Sequence, residues 1–199
     1  VDAAMLCRIG LERNLPLWQP PSPLMKEIKS LCREHRVFKG QAVKIKVRLH
    51  AYAYSHKPVK SIIKRLKQQL RLIEKQIEEV KKEIRDHVKQ DETLRAKIQN
   101  IEAVKGLSFQ TIITVIAETN GFATIENAKQ LASYTGLDVV MNQSGQYSGR
   151  TRISRKGNRY IRSALYLPAM SALKSNPRFK QFYSRIMETH TCGKVGVGL

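Results

Sequence analysis

From Ile63 to Ile84 apolar side chains recur alternately three and four residues apart, at Ile63, Leu66, Leu70, Ile73, Ile77, Val80 and Ile84. That spacing sets them on one stripe of a long helix, which has to bury the stripe against another helix. The same phase then lands on His87 and Asp91 before Leu94, Ile98 and Ile101 restore it. A polar interruption of this kind is expected to bend or pause the helix. Two partners can cover the stripe. The segment from Pro23 to about Tyr54, with Leu24, Ile28, Leu31, Phe38 and Ile45 among its apolar positions and Gly40 as a point of bending, can fold back as an intramolecular hairpin. A second copy of the chain can do the same as a coiled coil, making this arm a dimerisation element. A mixture of the two is the favoured reading.

The charge is as constraining as the periodicity. The 36 Lys and Arg against 16 Asp and Glu give a formal net charge of +20, too large for an enzyme of neutral small molecules. It points to nucleic acid or an anionic membrane surface. No apolar run reaches the roughly 18 to 20 residues that span a bilayer, so nucleic acid is preferred. The cations are also segregated: no acid occurs between Glu34 and Glu74, where Lys44, Lys46 and Arg48 lie, and none between Asp138 and Glu188. Cys7, Cys32 and Cys192 are odd in number and scattered, which excludes a disulfide framework and a CxxC metal knuckle and suits a reducing cytoplasm. His190 and Cys192 lack further ligand-type neighbours for a metal site.

The rest of the chain reads as short helices. Residues 2 to 14 form one, ended by the prolines at 16, 20, 21 and 23. After Ile98 the run IEAVKGLSFQTIITVIAET resembles a helix-hairpin-helix turn in which Gly106 is in place and Ser108 stands where a second glycine would be expected. That turn is either a phosphate-binding backbone nest or a plain helix connection. A short helix from Ile125 to Tyr134 stops at Gly136, and residues 137 to 154, with Gly145 and Gly149, form a loop or small hairpin. Helices follow over 156 to 174, with Pro168 expected to kink it, and 177 to 189. The predicted fold is mainly α: a long coiled-coil arm followed by a small helical domain carrying a helix-hairpin-helix-like turn and a Ser-Gly loop or short hairpin.

That loop is where chemistry on phosphates is expected. In QSGQYSGRTRISRKGNRYIRSAL, spanning 143 to 165, the Ser144–Gly145 pair precedes Arg150, Arg152, Arg155, Lys156, Arg159 and Arg162. Guanidinium groups grip phosphate oxygens in pairs, and a hydroxyl held among them can ligate a phosphate or attack it. A Ser-Gly pair by itself is more often a turn, and Ser148 before Gly149 is the nearest rival. Each cation has ordinary backbone binding as its plainer role. Tyr147 and Tyr160 either stack on bases or fill a core, the latter favoured for Tyr160 at helical spacing.

The segments AVKGLSFQTIITVIAETNGFATIENAKQLASYTGLD, QSGQYSGRTRISRKGNRYIRSALYLPAM and NPRFKQFYSRI, in that order, resemble the C-terminal domain of DEDD-type insertion-sequence transposases of the IS-one-ten class, related to the Piv-type DNA invertases. The similarity continues upstream through LCREHRVFKGQAVKIKVRLHAY and the heptads, and so covers nearly the whole chain. It implies a RuvC-like domain whose four acids hold divalent metal, an arm that joins subunits, and a serine nucleophile. By that resemblance Asp2 in VDAAML corresponds to the fourth acid, a Mg2+ ligand in the complete protein, and Ser144 to the nucleophile. The other three acids would precede Val1, and both ends look truncated, the family domain normally continuing past Gly193-Lys194. Residues 1–22 then read as a remnant of the RuvC-like domain, 23–100 as a basic helix and coiled-coil arm, and 101–199 as the serine-bearing domain. The resemblance further implies DNA and a guide RNA as partners, and homo-oligomers. It also implies that the chain alone is inactive and binds no cofactor tightly. Two other readings stay open: a noncatalytic nucleic-acid-binding module in which Ser144 only contacts phosphate, and a coiled-coil interaction protein whose charge is a solvated surface.

Overall fold

The computed structural model describes residues 2–13, 20–104, 106–123, 125–141, 143–144, 146–149 and 151–189. Among them the helices are α1 (Asp2–Glu12), α2 (Pro23–Ala53), α3 (Lys60–Gln90), α4 (Glu92–Glu102), α5 (Phe109–Glu118), α6 (Ala128–Thr135), α7 (Arg159–Ser175) and α8 (Pro177–Thr189). Four two-residue strands lie between α6 and α7: β1 (Val139–Val140), β2 (Gln143–Ser144), β3 (Tyr147–Ser148) and β4 (Arg152–Ile153). The fold is mainly helical, as the sequence pattern predicts. No helix of the described residues is long and apolar enough to cross a membrane.

Helix α2 starts where its sequence allows. Ser22 caps it by accepting a hydrogen bond from the Met25 amide at 3.2 Å, and Pro23, which has no amide hydrogen to satisfy, takes the first helical position. It runs unbroken through Gly40 to Ala53 and packs along α3, so the stripe is covered within the chain. Leu66, Ile77, Val80 and Ile84 are buried as their spacing requires. The next buried position is Val88 and not His87, because a helix turning every 3.6 residues drifts away from a strict seven-residue stripe. The interruption at Asp91 has a different cause from a packing defect. Asp91 ends α3 and caps α4, its carboxylate accepting from the Leu94 amide at 3.0 Å and from the Thr93 hydroxyl at 2.6 Å.

One apolar core joins the open end of this hairpin to the following helices. It holds Ile28 and Cys32 of α2, Val80, Ile84 and Val88 of α3, Leu94 and Ile98 of α4, and Ile112, Ile113, Ile116 and Ala117 of α5. Each fully buried isoleucine contributes roughly 2 kcal/mol over an exposed one. The junction therefore anchors the fold, and the far end of the hairpin, where Tyr54 is exposed, projects as an arm. Residues on both sides of position 100 share this core. Helix α1 has no buried residue.

Ser108 serves the fold directly, since its hydroxyl caps α5 by accepting from the Thr111 amide at 3.3 Å. Gly106, at φ +101°, brings the turn against α7, where a Cβ would sit 3.6 Å from the Ala172 nitrogen. The tightest backbone approach lies between Gly136, which ends α6 at φ +68°, and Gly157. A Cβ on Gly157 would fall 2.3 Å from both the Gly136 nitrogen and the Tyr134 carbonyl oxygen. Backbone cannot move aside as a flexible side chain can, so Gly157→Ala is expected to destabilise the fold by about 2 kcal/mol, read as a lowered urea midpoint.

Candidate nucleic-acid interface

Between Gly136 and Gly157 the chain leaves the helical body as a short β-ribbon and returns. Val139 pairs with Ile153 and Val140 with Arg152; Gln143 then pairs with Ser148 and Ser144 with Tyr147, all antiparallel. Ser144 is exposed on the inner of the two described strand pairs. A ribbon this small has little stability of its own, and its position comes from its base. There the Ser154 amide donates to the Asp138 carbonyl at 2.8 Å, the Arg155 amide to Gly136 at 3.0 Å and the Asn158 amide to Tyr134 at 2.8 Å. The Ser154 hydroxyl adds a bond of 2.5 Å to the Asp138 carboxylate. Arg155 stands at φ +55°, a left-handed conformation uncommon for a side-chain-bearing residue, next to this contact.

The base is in turn tied to the arm by one buried carboxylate. Glu118, at the end of α5, is 2% exposed. Arg33 of α2 grips it with Nε donating to Oε1 at 2.7 Å and Nη2 to Oε2 at 3.0 Å. Lys29 Nζ lies 3.5 Å from Oε2, and the Asn158 amide nitrogen donates to the same oxygen at 2.8 Å. Asn158 also caps α7, accepting from the Tyr160 and Ile161 amides, while the Tyr134 hydroxyl donates to the Glu118 carbonyl at 2.9 Å. Four helices thus meet on one residue. Burial pushes the Glu118 carboxyl upward, but the Arg33 and Asn158 bonds with the charges of Lys29 and Arg33 outweigh it and hold the group below the usual carboxylate range. Its contribution to stability is present above about pH 4.5 and is lost as the pH falls through its lowered value.

Beside Glu118 a cleft of about 550 Å³ opens between α2, α5 and α7. His35 in its lining is 3% exposed, and its Nε2 has no hydrogen-bond partner among the described residues. Burial, then the nearby Lys39 and Lys81, lowers its pKa from 6.5 to about 4. Between those values the unfolded chain binds a proton that the folded chain does not, so stability must fall as the pH drops from 6.5 towards 4. Urea midpoints at pH 7 and pH 5 check this: the difference should shrink in His35→Leu. Burial also raises the Cys32 thiol in the same cleft to about 12, which leaves it neither a nucleophile nor a ready metal ligand.

The predicted site residues are spread over this framework. Arg152, Arg155, Lys156 and Arg159 are exposed on the ribbon, at its base and at the start of α7. Arg162 is half-buried, its Nη1 donating to the Thr135 carbonyl at 2.6 Å at the end of α6. Arg150, the pair His190 and Cys192, and Gly193-Lys194 lie outside the described residues. Lys44, Lys46 and Arg48 are exposed on the arm, with Lys46 Nζ 2.9 Å from Glu74 across the hairpin. Asp2 is exposed at the start of α1. Tyr160 is not a core filler: Arg33, Arg36 and Arg159 place their guanidinium carbons 4.5, 5.2 and 5.2 Å from its ring centre.

Ser144, the ribbon and the cationic start of α7 fall inside a segment with a known counterpart. Residues 98–184 match the family model described as Transposase IS116/IS110/IS902 family. Across a longer stretch the chain is 27% identical to the pilin gene-inverting protein of Moraxella bovis over 188 residues, covering 93% of this chain and 56% of that protein. The protein of the same name in Moraxella lacunata matches to the same extent. A probable family 20 transposase of Pseudomonas aeruginosa is 26% identical over 117 residues, 59% of this chain and 33% of that protein. The chain therefore spans about half the length of the Moraxella proteins. Asp2, Lys44, Lys46 and Arg48 lie outside the transposase-matched segment.

Glu118, Asn158, His35, Arg33 and Arg36 are the residues that sequence reasoning missed. One signal was available for Glu118, a single acid after the apolar run FQTIITVIA of a strongly basic chain. Nothing local marks its partners.

Proposed function

We propose that this chain is the arm and serine-bearing portion of a DNA transposase or site-specific recombinase that works through a phosphoserine intermediate. The observation that carries the reading is the transposase-family match over 98–184, the stretch that contains Ser144 and the ribbon. The Ser144 oxygen attacks a DNA phosphodiester in line: a P–O bond to serine forms, the bond from phosphorus to one sugar oxygen breaks, and that oxygen leaves as a hydroxyl carrying, in net terms, the serine proton. The ester conserves the phosphodiester energy, so rejoining to another strand needs no external donor. The exposed cations Arg152, Arg155, Lys156 and Arg159 neutralise phosphate charge, as does Arg150, and Lys44, Lys46 and Arg48 extend the basic surface along the arm. Subunit pairing through the arm, a guide RNA and a cytoplasmic setting belong to the same proposal.

The described residues do not make a metal site by themselves. Asp2 is one exposed carboxylate, and no group of three or more His, Cys, Asp and Glu side chains able to hold an ion occurs among them. Mg2+ is held octahedrally with carboxylate help, so Asp2 as a ligand requires further acids. Residues 1–199 alone are accordingly expected to yield no metal-dependent strand-transfer product in a gel assay.

The deciding experiment incubates the complete protein with nicked duplex DNA and looks for a protein–DNA adduct that survives denaturation. An adduct lost in Ser144→Ala supports the recombinase. Unchanged binding without any adduct supports the noncatalytic module. Binding itself has a separate signature: if several of these cations neutralise phosphates, the logarithm of the binding constant should fall linearly with the logarithm of salt, by about 0.9 per neutralised phosphate. A flat dependence would argue that the charge is only a solvated surface.

A further inference from the structure

The geometry points to the cleft between α2, α5 and α7 as a pocket for one unpaired nucleotide of a nucleic-acid strand, its phosphate at Arg36 and Lys39 and its base against Ala164, Leu167 and Pro168. This rests on the nucleic-acid reading above and adds a site distinct from the Ser144 ribbon. Charge selects a phosphate-bearing ligand. Among the cleft's lining residues the acid is Glu118, and its oxygens are already taken by Arg33, Lys29 and Asn158. Arg36 and Lys39 also line the cleft, and neither has a carboxylate partner among the described residues. Arg36 is held in place rather than free to sweep: it donates to the Ser163 hydroxyl, and its guanidinium stands 5.2 Å from the Tyr160 ring centre. A preorganised guanidinium next to a lysine is a phosphate clamp.

Shape and polarity select the ligand further. The volume of about 550 Å³ lies within the roughly 300–1,000 Å³ of small-ligand sites. That suits one nucleotide but not a duplex. A bare phosphate would leave most of it unfilled. On the α7 side Ala164, Leu167 and Pro168 offer an apolar wall of the kind on which a base can lie, and Leu167 is 73% exposed.

The test measures fluorescence anisotropy of labelled oligo(dT), oligo(U) and a mixed-sequence duplex at one fixed salt concentration. Wild type is compared with the double variant Arg36→Gln/Lys39→Gln and with Ala164→Phe, which fills the cleft without changing charge. The expected result is roughly tenfold weaker single-strand binding in both variants, with duplex binding within about twofold. A preference between oligo(U) and oligo(dT) assigns the strand to RNA or DNA, and either upholds the site. Should Ala164→Phe lower the thermal midpoint and unfold, the double variant, which alters two exposed side chains of α2, still decides. Equal losses for single strand and duplex would mean general charge attraction and overturn the pocket. So would single-strand binding that is absent in wild type or unchanged in the variants. Failure of wild type to bind any of the three probes would sink the nucleic-acid reading itself, and the pocket with it.

Discussion

Glu118→Ala is expected to lower the stability of this chain by about 3 kcal/mol, the low end for removing one partner from a buried ion pair. The low end is appropriate because Arg33 and Lys29 keep 44% and 30% of their side chains exposed and can turn back to water. The loss has a second component: Asn158, which donates to Glu118 while capping α7, would be left with an unanswered amide. Glu118→Gln should cost less, since a neutral amide of the same shape can still accept one of the bonds. Chemical denaturation of the three proteins at pH 7 measures this, and a loss below about 1 kcal/mol for the alanine variant would show that the cluster is not a structural hub. Because the same residue anchors α7 where the ribbon rejoins the body, Glu118→Ala should also speed amide exchange in the 152–158 stretch. The alanine change should leave the far end of the α2–α3 hairpin near its wild-type protection.

Ser144→Ala in the complete protein should reduce strand exchange at least about a thousandfold and abolish the covalent adduct, since the methyl group offers no atom to form the ester. Noncovalent DNA affinity should stay within about twofold, because one exposed hydroxyl among many cations contributes little to backbone binding. That split separates a nucleophile from a binding residue. Ser148→Ala is the control: it should retain the adduct. If Ser148→Ala and not Ser144→Ala removes it, the nucleophile is the second Ser-Gly serine; if neither does, the phosphoserine route is wrong.

Ser144 and Glu118 differ in how visible they are in the sequence. Ser144 stands out in the linear text, as a Ser-Gly pair ahead of an acid-free basic run, and the structure adds its place on an exposed ribbon pair. The stripe from Ile63 to Ile84 was equally legible, and so was its need for a helical partner. Only the folded chain showed that α2 supplies that partner. Asp91 was readable as a break in the stripe but not as a cap, because the capping bond depends on where the backbone leaves the helix. Tyr160 at helical spacing suggested core, and three guanidinium groups facing its ring put it at a polar junction instead.

What the sequence by itself determined is what depends on neighbours along the chain: helical periodicity, the stops at proline and glycine, the separation of charge, and the Ser-Gly loop. What the tertiary structure alone decided is which distant groups answer each other. Arg33 and Glu118 are 85 positions apart, and Glu118 and Asn158 are 40 apart. No local pattern encodes such pairings, because a buried carboxylate is satisfied by whichever donors the packing of helices delivers to it. The cleft beside it exists for the same reason, as the space left where three helices from separate parts of the chain converge.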